Sequence, residues 1–213
     1  MDCPFDKPRW ARRKDARPQE LLAAALDLFV EKGFAATRLE DVARRAGVSK
    51  GTLYLYYENK EELFKAVVRT SIVPVIGDAE DQVASFDGHS VDLFKWLVRG
   101  WWERIGMTPA SGIVKLVMAE ANNFPDIASF YRDEVISRGT TMFANMLQRG
   151  IDRGEFRPID VPTMTQVIIA PVLMLMMWKH SFGPCNLSEM DPNQFLDSFI
   201  DLALQGLVSP KVP

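Results

Sequence analysis

Residues 37–63, TRLEDVARRAGVSKGTLYLYYENKEEL, constrain the fold more than any other stretch, because two short apolar-striped segments meet there at a single glycine and a third follows closely. Thr37 and Glu40 have the spacing of a capping box, which predicts a helix start. Leu39, Val42, Ala43 and Ala46 then recur on one helical stripe, with Glu40, Asp41, Arg44 and Arg45 off it. Gly47 ends that helix, since glycine takes the left-handed conformation without a Cβ penalty. Ser49 is placed to cap a second helix, Lys50 to Tyr57, and Asn59 with Glu62 to open a third. The pattern is a helix-turn-helix.

In the second helix Leu53 and Tyr57 face the core, whereas Lys50, Thr52, Tyr54 and Tyr56 project outward near the helix start. A helix N-terminus attracts phosphate, so Ser49, Lys50, Gly51 and Thr52 suit close approach to a nucleic-acid backbone. Gly51 costs about 1 kcal/mol against alanine in a helix, and a local rule broken in this way points to function. Thr37, Arg38 and Arg45 are candidate contacts on the preceding segment. Lys60 sits in a first turn, where a cation opposes the helix dipole, and is expected beside a phosphate. A helical hairpin of some other all-α protein would share the glycine turn; the residues after Tyr57 decide against it.

Gly33-Phe34, Thr37, Val42-Ala43, Ala46-Gly47-Val48-Ser49, Gly51-Thr52-Leu53-Tyr54, Tyr57 and Lys60-Glu61-x-Leu63-Phe64 resemble the DNA-binding domain of the TetR/AcrR transcriptional regulators, over roughly residues 18 to 65. One position departs. Arg38 stands where the family usually has a threonine or serine, so that hydroxyl contact to phosphate would pass to the guanidinium or to Thr37. The resemblance implies a homodimer joined by its last two helices and bound to double-stranded operator DNA. It also implies an inducer that moves the helix linking two domains and respaces the recognition helices.

Charge supports the division. Net charge is −3, but residues 1–60 hold 12 Lys+Arg against 9 Asp+Glu and the remainder 13 against 19, so positive potential gathers at one end. Three domains are expected: a basic arm (1–17), a DNA-binding domain (18–65) and a helical sensing and dimerisation domain (66–213). Lys7, Arg9, Arg12, Arg13, Lys14 and Arg17, with prolines at 4, 8 and 18, predict an extended arm lying along phosphates or in the minor groove. A support helix follows from Pro18 to Gly33, with Leu21, Ala25, Leu28 and Phe29 inward.

Beyond Lys60 no strand alternation occurs, so the fold class is all-α. Leu63, Phe64, Val67, Val68 and Ile72 stripe the linking helix, which is expected to continue past Pro74 with a kink. An aromatic helix (90–106), one from about 109, a long one (125–153) ended by Gly154, and two more opened by Asp160 and Asp191 complete the chain. The run Val167 to Trp178 is apolar on every side. At twelve residues with Pro171 inside it falls short of the roughly 20 needed to span a bilayer, so no membrane partner is expected. It must instead be buried, with one face covered by a second subunit.

The chain offers no nucleophile-base motif and no phosphate-binding glycine loop, so it is not expected to be an enzyme. With only Cys3, Cys185, His89 and His180 available, neither metal nor cofactor is expected. The N-terminus lacks an apolar export core, and the cytoplasm is the expected location. Large polarizable side chains crowd the second half and suit an adaptable apolar cavity. Trp96, Trp101, Trp102 and Met118 are candidates to line it, together with Phe130, Tyr131, Met146 and Trp178. Glu120, Asn122, Asn123 and His180 are the candidate polar anchors. An apolar or aromatic inducer would require a cavity of roughly 300 Å³ or more; control by a protein partner is the alternative.

Overall fold

The computed structural model describes residues 9–183 and 190–208, with side chains from residue 18 onward. Among them eleven α-helices account for nearly all regular structure, and the only β pairing is an isolated bridge between Phe156 and Val208. The chain divides into two compact units, Met1–Arg69 and Thr70–Pro213.

In the first unit, α1 (Arg9–Ala36) carries Leu21, Ala25, Leu28 and Phe29 inward, and its helical path breaks at Gly33 (φ 81°, ψ 170°). The break folds Phe34 back, so that the Phe29, Phe34 and Phe64 rings meet with centroids 5.5–5.7 Å apart. The backbone from Arg9 to Arg17 is helical, which corrects the expected extended arm over those residues. They contain no glycine or proline and are rich in alanine, arginine and lysine, so Pro18 removes one ladder bond without stopping the helix. Residues 1–8 of that arm lie outside the described residues.

The helices α2 (Leu39–Arg45), α3 (Lys50–Tyr54) and α4 (Lys60–Ser71) follow. Gly47 takes φ +67° with open space around its Cα, so the left-handed turn rather than crowding requires glycine. Ser49 caps α3 by accepting from the Thr52 amide at 3.1 Å, and Asn59 caps α4 by accepting from the Glu62 amide at 2.8 Å. The Glu62 carboxylate turns to Lys65 instead of completing a box. The recognition helix is shorter than expected: it ends at Tyr54, and Leu55 and Tyr56 form a turn before Asn59 starts α4.

The second unit begins in α4's last turn. Ile72 (φ −119°) separates α4 from α5 (Val73–Ser85), so the linking helix breaks one residue before the Val73-Pro74 start instead of bending through Pro74. Next come α6 (Ser90–Trp101), a π-helical turn (Trp102–Gly106) and α7 (Ser111–Glu120). The expected long helix is present as α8 (Pro125–Tyr131), a second π turn (Arg132–Ile136) and α9 (Ser137–Asp152), closed by Gly154 at φ +69°. Arg149 of α9 fastens the α5–α6 loop, donating to Ser90 Oγ (2.7 Å) and to the carbonyls of Phe86 (3.0 Å) and Gly88 (2.7 Å). Glu155 accepts from the Ser90 amide at 2.7 Å. Burial alone would raise that carboxyl's pKa, but hydrogen bonds from Ser90 and Arg153 and the nearby His89 hold it down to about 2.

Asp160 and Asp191 cap α10 (Val161–Ser181) and α11 (Pro192–Leu207) by accepting from the Thr163 and Asn193 amides. At 21 residues α10 is long and apolar enough, by length and composition, to cross a membrane, which corrects the shorter span read from its apolar run. Its Ile168, Val172, Leu175 and Met176 are buried within the unit, where it packs on α7 and α9. Part of its surface is left open by this chain: Val167 is 55 % and Met174 59 % exposed, and Leu202 of α11 71 %.

Candidate nucleic-acid interface and ligand cavity

The start of α3 brings Ser49, Lys50, Thr52 and Tyr54 together. Ser49 Oγ lies 2.9 Å from Thr52 Oγ1, and Lys50 Nζ stands 5.7 Å from the Tyr54 ring centroid. A Cβ on Gly51 would meet nothing closer than Ser49 Oγ at 3.8 Å, so its outer side is open for a backbone to approach. Lys50 is tethered to Glu40 of α2 at 2.5 Å. The pair's hydrogen bond lowers the Glu40 pKa and raises that of Lys50. Tyr54 and Tyr56 are exposed beside Leu55, at 83 % the most exposed large apolar side chain among the described residues. Sequence reasoning passed over Leu55 because helical spacing would turn it half-inward; the early end of α3 turns it out.

Two expected phosphate contacts have other work. Thr37 is 1 % exposed and its hydroxyl lies 2.7 Å from the Gly33 carbonyl and 3.1 Å from that of Leu28. Arg38, not Thr37, occupies the α2 N-cap position, and no side chain caps that helix, so the capping-box reading of Thr37 with Glu40 is corrected. Lys60 Nζ donates to the carbonyls of Phe34 (2.7 Å) and Ala35 (3.1 Å) and lies 4.5 Å from the Phe34 ring centroid. A lysine in a first turn is thus explained by the C-terminal carbonyls of α1, for which it acts as a cap. Arg45 is exposed but held bidentately by Glu31 at 2.7 and 2.8 Å, a contact that lowers the Glu31 pKa and raises that of Arg45. Arg38 is exposed.

The candidate ligand residues do not share one cavity. Trp101, Met118 and Tyr131 line an apolar cavity of about 110 Å³ with Val114, Phe143 and Val172. The buried Tyr131 hydroxyl has its pKa pushed up by burial. Trp96 lines a smaller recess beside Trp101, while Trp102 and Trp178 line a separate opening of about 360 Å³. Met146 is fully buried core and Asn122 is exposed in the turn after α7. Phe130 is half-buried and lines none of the three.

Glu120 and Asn123 bond each other, and His180 Nε2 pairs with Ser111 Oγ at 2.7 Å, so none of these anchors reaches the Trp101 cavity. The cavity's aliphatic wall, with Val114, Val117, Val135 and Val172, was missed, although Val135 and Gly139 fall four apart on one helical face.

Residues 21–67 match the family described as bacterial regulatory proteins, tetR family, and residues 91–184 match the tetracyclin repressor-like C-terminal domain. The HTH-type transcriptional regulator YfiR of Bacillus subtilis is 30 % identical over 153 residues, covering 69 % of this chain and 71 % of its own. The HTH-type transcriptional repressor KstR2 of Mycobacterium tuberculosis is 27 % identical over 206 residues, covering 96 % and 99 %. Among solved structures, a transcriptional regulator from Saccharomonospora viridis in complex with choline superposes with a TM-score of 0.77 at 17 % identity, covering 92 % of this chain and all of that one.

Proposed function

The chain belongs to the TetR family of HTH-type transcriptional regulators, DNA-binding proteins and not enzymes, and we propose that it is a dimeric repressor released from a palindromic operator by an apolar small molecule. The observation that carries the ligand half is the Trp101 cavity, walled by Met118, Tyr131, Phe143 and aliphatic side chains with no charged group among its described lining. At about 110 Å³ it falls short of the roughly 300 Å³ expected for such an inducer, and takes a drug-sized molecule only by opening. Met118 and Ile136, both exposed on its rim, are the side chains free to move aside.

Lys50, Gly51, Thr52, Tyr54 and Tyr56 read the operator in this proposal, with Ser49, Arg38 and Arg45 at the flanking phosphates. Lys50 and Arg45 exchange Glu40 and Glu31 for DNA as they bind. The seam is formed by the exposed apolar faces of α10 and α11, whose Val167, Met174 and Leu202 would otherwise leave a large apolar surface in water. A soluble dimer that uses α10 in this way works in the cytoplasm, with no membrane partner.

Release follows from population shift, since ligand changes DNA affinity only if it favours one head spacing, and operator must weaken ligand binding by the same factor. The test is a footprint upstream of the gene followed by titration with apolar ligands that raise the thermal midpoint. A ligand that binds the cavity yet leaves operator affinity untouched would refute the inducer role. Control by a protein partner is the second reading, favoured by the cavity's small volume.

A further inference from the structure

The second unit also holds the larger opening of about 360 Å³, formed where the last turns of α10 approach the start of α11. Its described walls are Trp102, Met107, Leu175, Trp178 and Met190, with Lys179 as their one charged side chain. Lys179 spends one of its three donors on the Gly106 carbonyl at 2.8 Å. Burial holds its pKa below the ordinary lysine value.

Two further basic groups stand close by. Lys115 Nζ donates to the His180 carbonyl at 2.8 Å, and the His180 ring pairs with Ser111. The His180 pKa is lowered by burial first and then by the positive charges of Lys179 and Lys115. The hydrogen-bond partners of these three groups are carbonyls and a hydroxyl, not carboxylates. Asp191, next to Met190, turns its carboxylate to the Asn193 amide. Trp178 Nε1 is buried with no hydrogen-bond partner. Among the described residues the region therefore carries donors and positive charge in excess of acceptors, against an apolar wall that two methionines can reshape.

We propose that this opening binds an amphipathic monoanion, one carboxylate on an apolar body, with Lys179 taking the carboxylate and the Trp102, Leu175, Trp178 and Met107 surfaces taking the body. A carboxylate at Lys179 would pair a partly desolvated cation that now has only a carbonyl, and the volume falls within the range of small-molecule sites. This site is distinct from the Trp101 cavity and does not depend on that cavity being the inducer site.

Calorimetric titration of the full chain with decanoate and with decanol tests the assignment. Decanoate is expected to bind with one site per chain and about tenfold more tightly than decanol, the size of one charge-assisted hydrogen bond. Lys179→Met, which keeps the aliphatic stem, should erase that preference and leave decanol binding as it was, and Lys179→Gln should behave alike. Phe143→Trp, which fills the other cavity, should leave decanoate binding unchanged. Absence of decanoate binding, equal affinity for both probes, indifference of decanoate to the Lys179 variants, or its loss in Phe143→Trp would each overturn the proposal.

Discussion

Thr37→Val separates a structural hydroxyl from a DNA contact. The side chain is 1 % exposed, and its single proton is shared between the Gly33 carbonyl at 2.7 Å and the Leu28 carbonyl at 3.1 Å. Gly33 leaves the helical path with ψ 170°, and the Thr37 hydroxyl supplies its oxygen with a donor. Valine keeps the shape of threonine but replaces the hydroxyl with a methyl, so the change removes that bond and leaves both oxygens without this donor. The expected loss is about 1–3 kcal/mol of stability. Urea unfolding followed by circular dichroism reads it as a lower midpoint. Operator titrations across a salt series should show the slope of log K against log salt unchanged, because no phosphate contact is removed. Arg38→Ala in the same series should flatten the slope by about one. An unchanged urea midpoint together with a flattened slope for Thr37→Val would refute the assignment and return the hydroxyl to the phosphate.

Glu155→Gln should destabilise the second unit by up to about 3 kcal/mol at neutral pH, the difference between a pKa of about 2 and the ordinary 4.5 at 1.36 kcal/mol per pH unit. Because the folded pKa is depressed, that stability is complete above pH 4.5 and is lost as pH falls through about 2; a gap between variant and parent that does not narrow with acid would contradict an origin in the carboxylate's charge. Lys60→Met is expected to loosen the end of α1 by about 1–3 kcal/mol with no effect on the salt slope of operator binding, which hydrogen exchange at Phe34–Thr37 and the salt series together can check. Met174→Arg should place an uncompensated charge in the α10–α11 seam and yield monomers in sedimentation, with operator affinity falling in parallel; an intact dimer would put the seam elsewhere.

The features legible in the sequence are those whose cause is local. Gly47, Ser49, Asn59, Asp160 and Asp191 act on amides or backbone angles within a few residues of themselves, and each stands where spacing predicted. Residues whose contacts spacing does not reveal answer to distant partners. Lys60 looks misplaced in its own first turn because the carbonyls it serves lie 25 and 26 residues earlier, and Arg149 fastens a loop about 60 residues before it. Composition located the aromatic and methionine-rich half of the chain but not its cavities. Trp101 and Trp102 are adjacent in sequence, so a helix turns them to different sides, and they line different openings.

The π turn at Arg132–Ile136 makes chain length itself a determinant of cavity shape. Tyr131 precedes it, and Val135, Gly139 and Phe143 lie within or after it, yet all face the same space. A π turn accommodates one residue more than an α-helix of the same rise. Deleting a single residue there would not shorten a loop; it would restore ordinary pitch, leave the helix on either side close to its present phase, and replace the side chains that the turn itself, at Val135 and Ile136, presents to the cavity. Insertions and deletions at this point are therefore a route by which evolution could reshape this cavity in a single step, while the helices on either side and their caps stayed as they are.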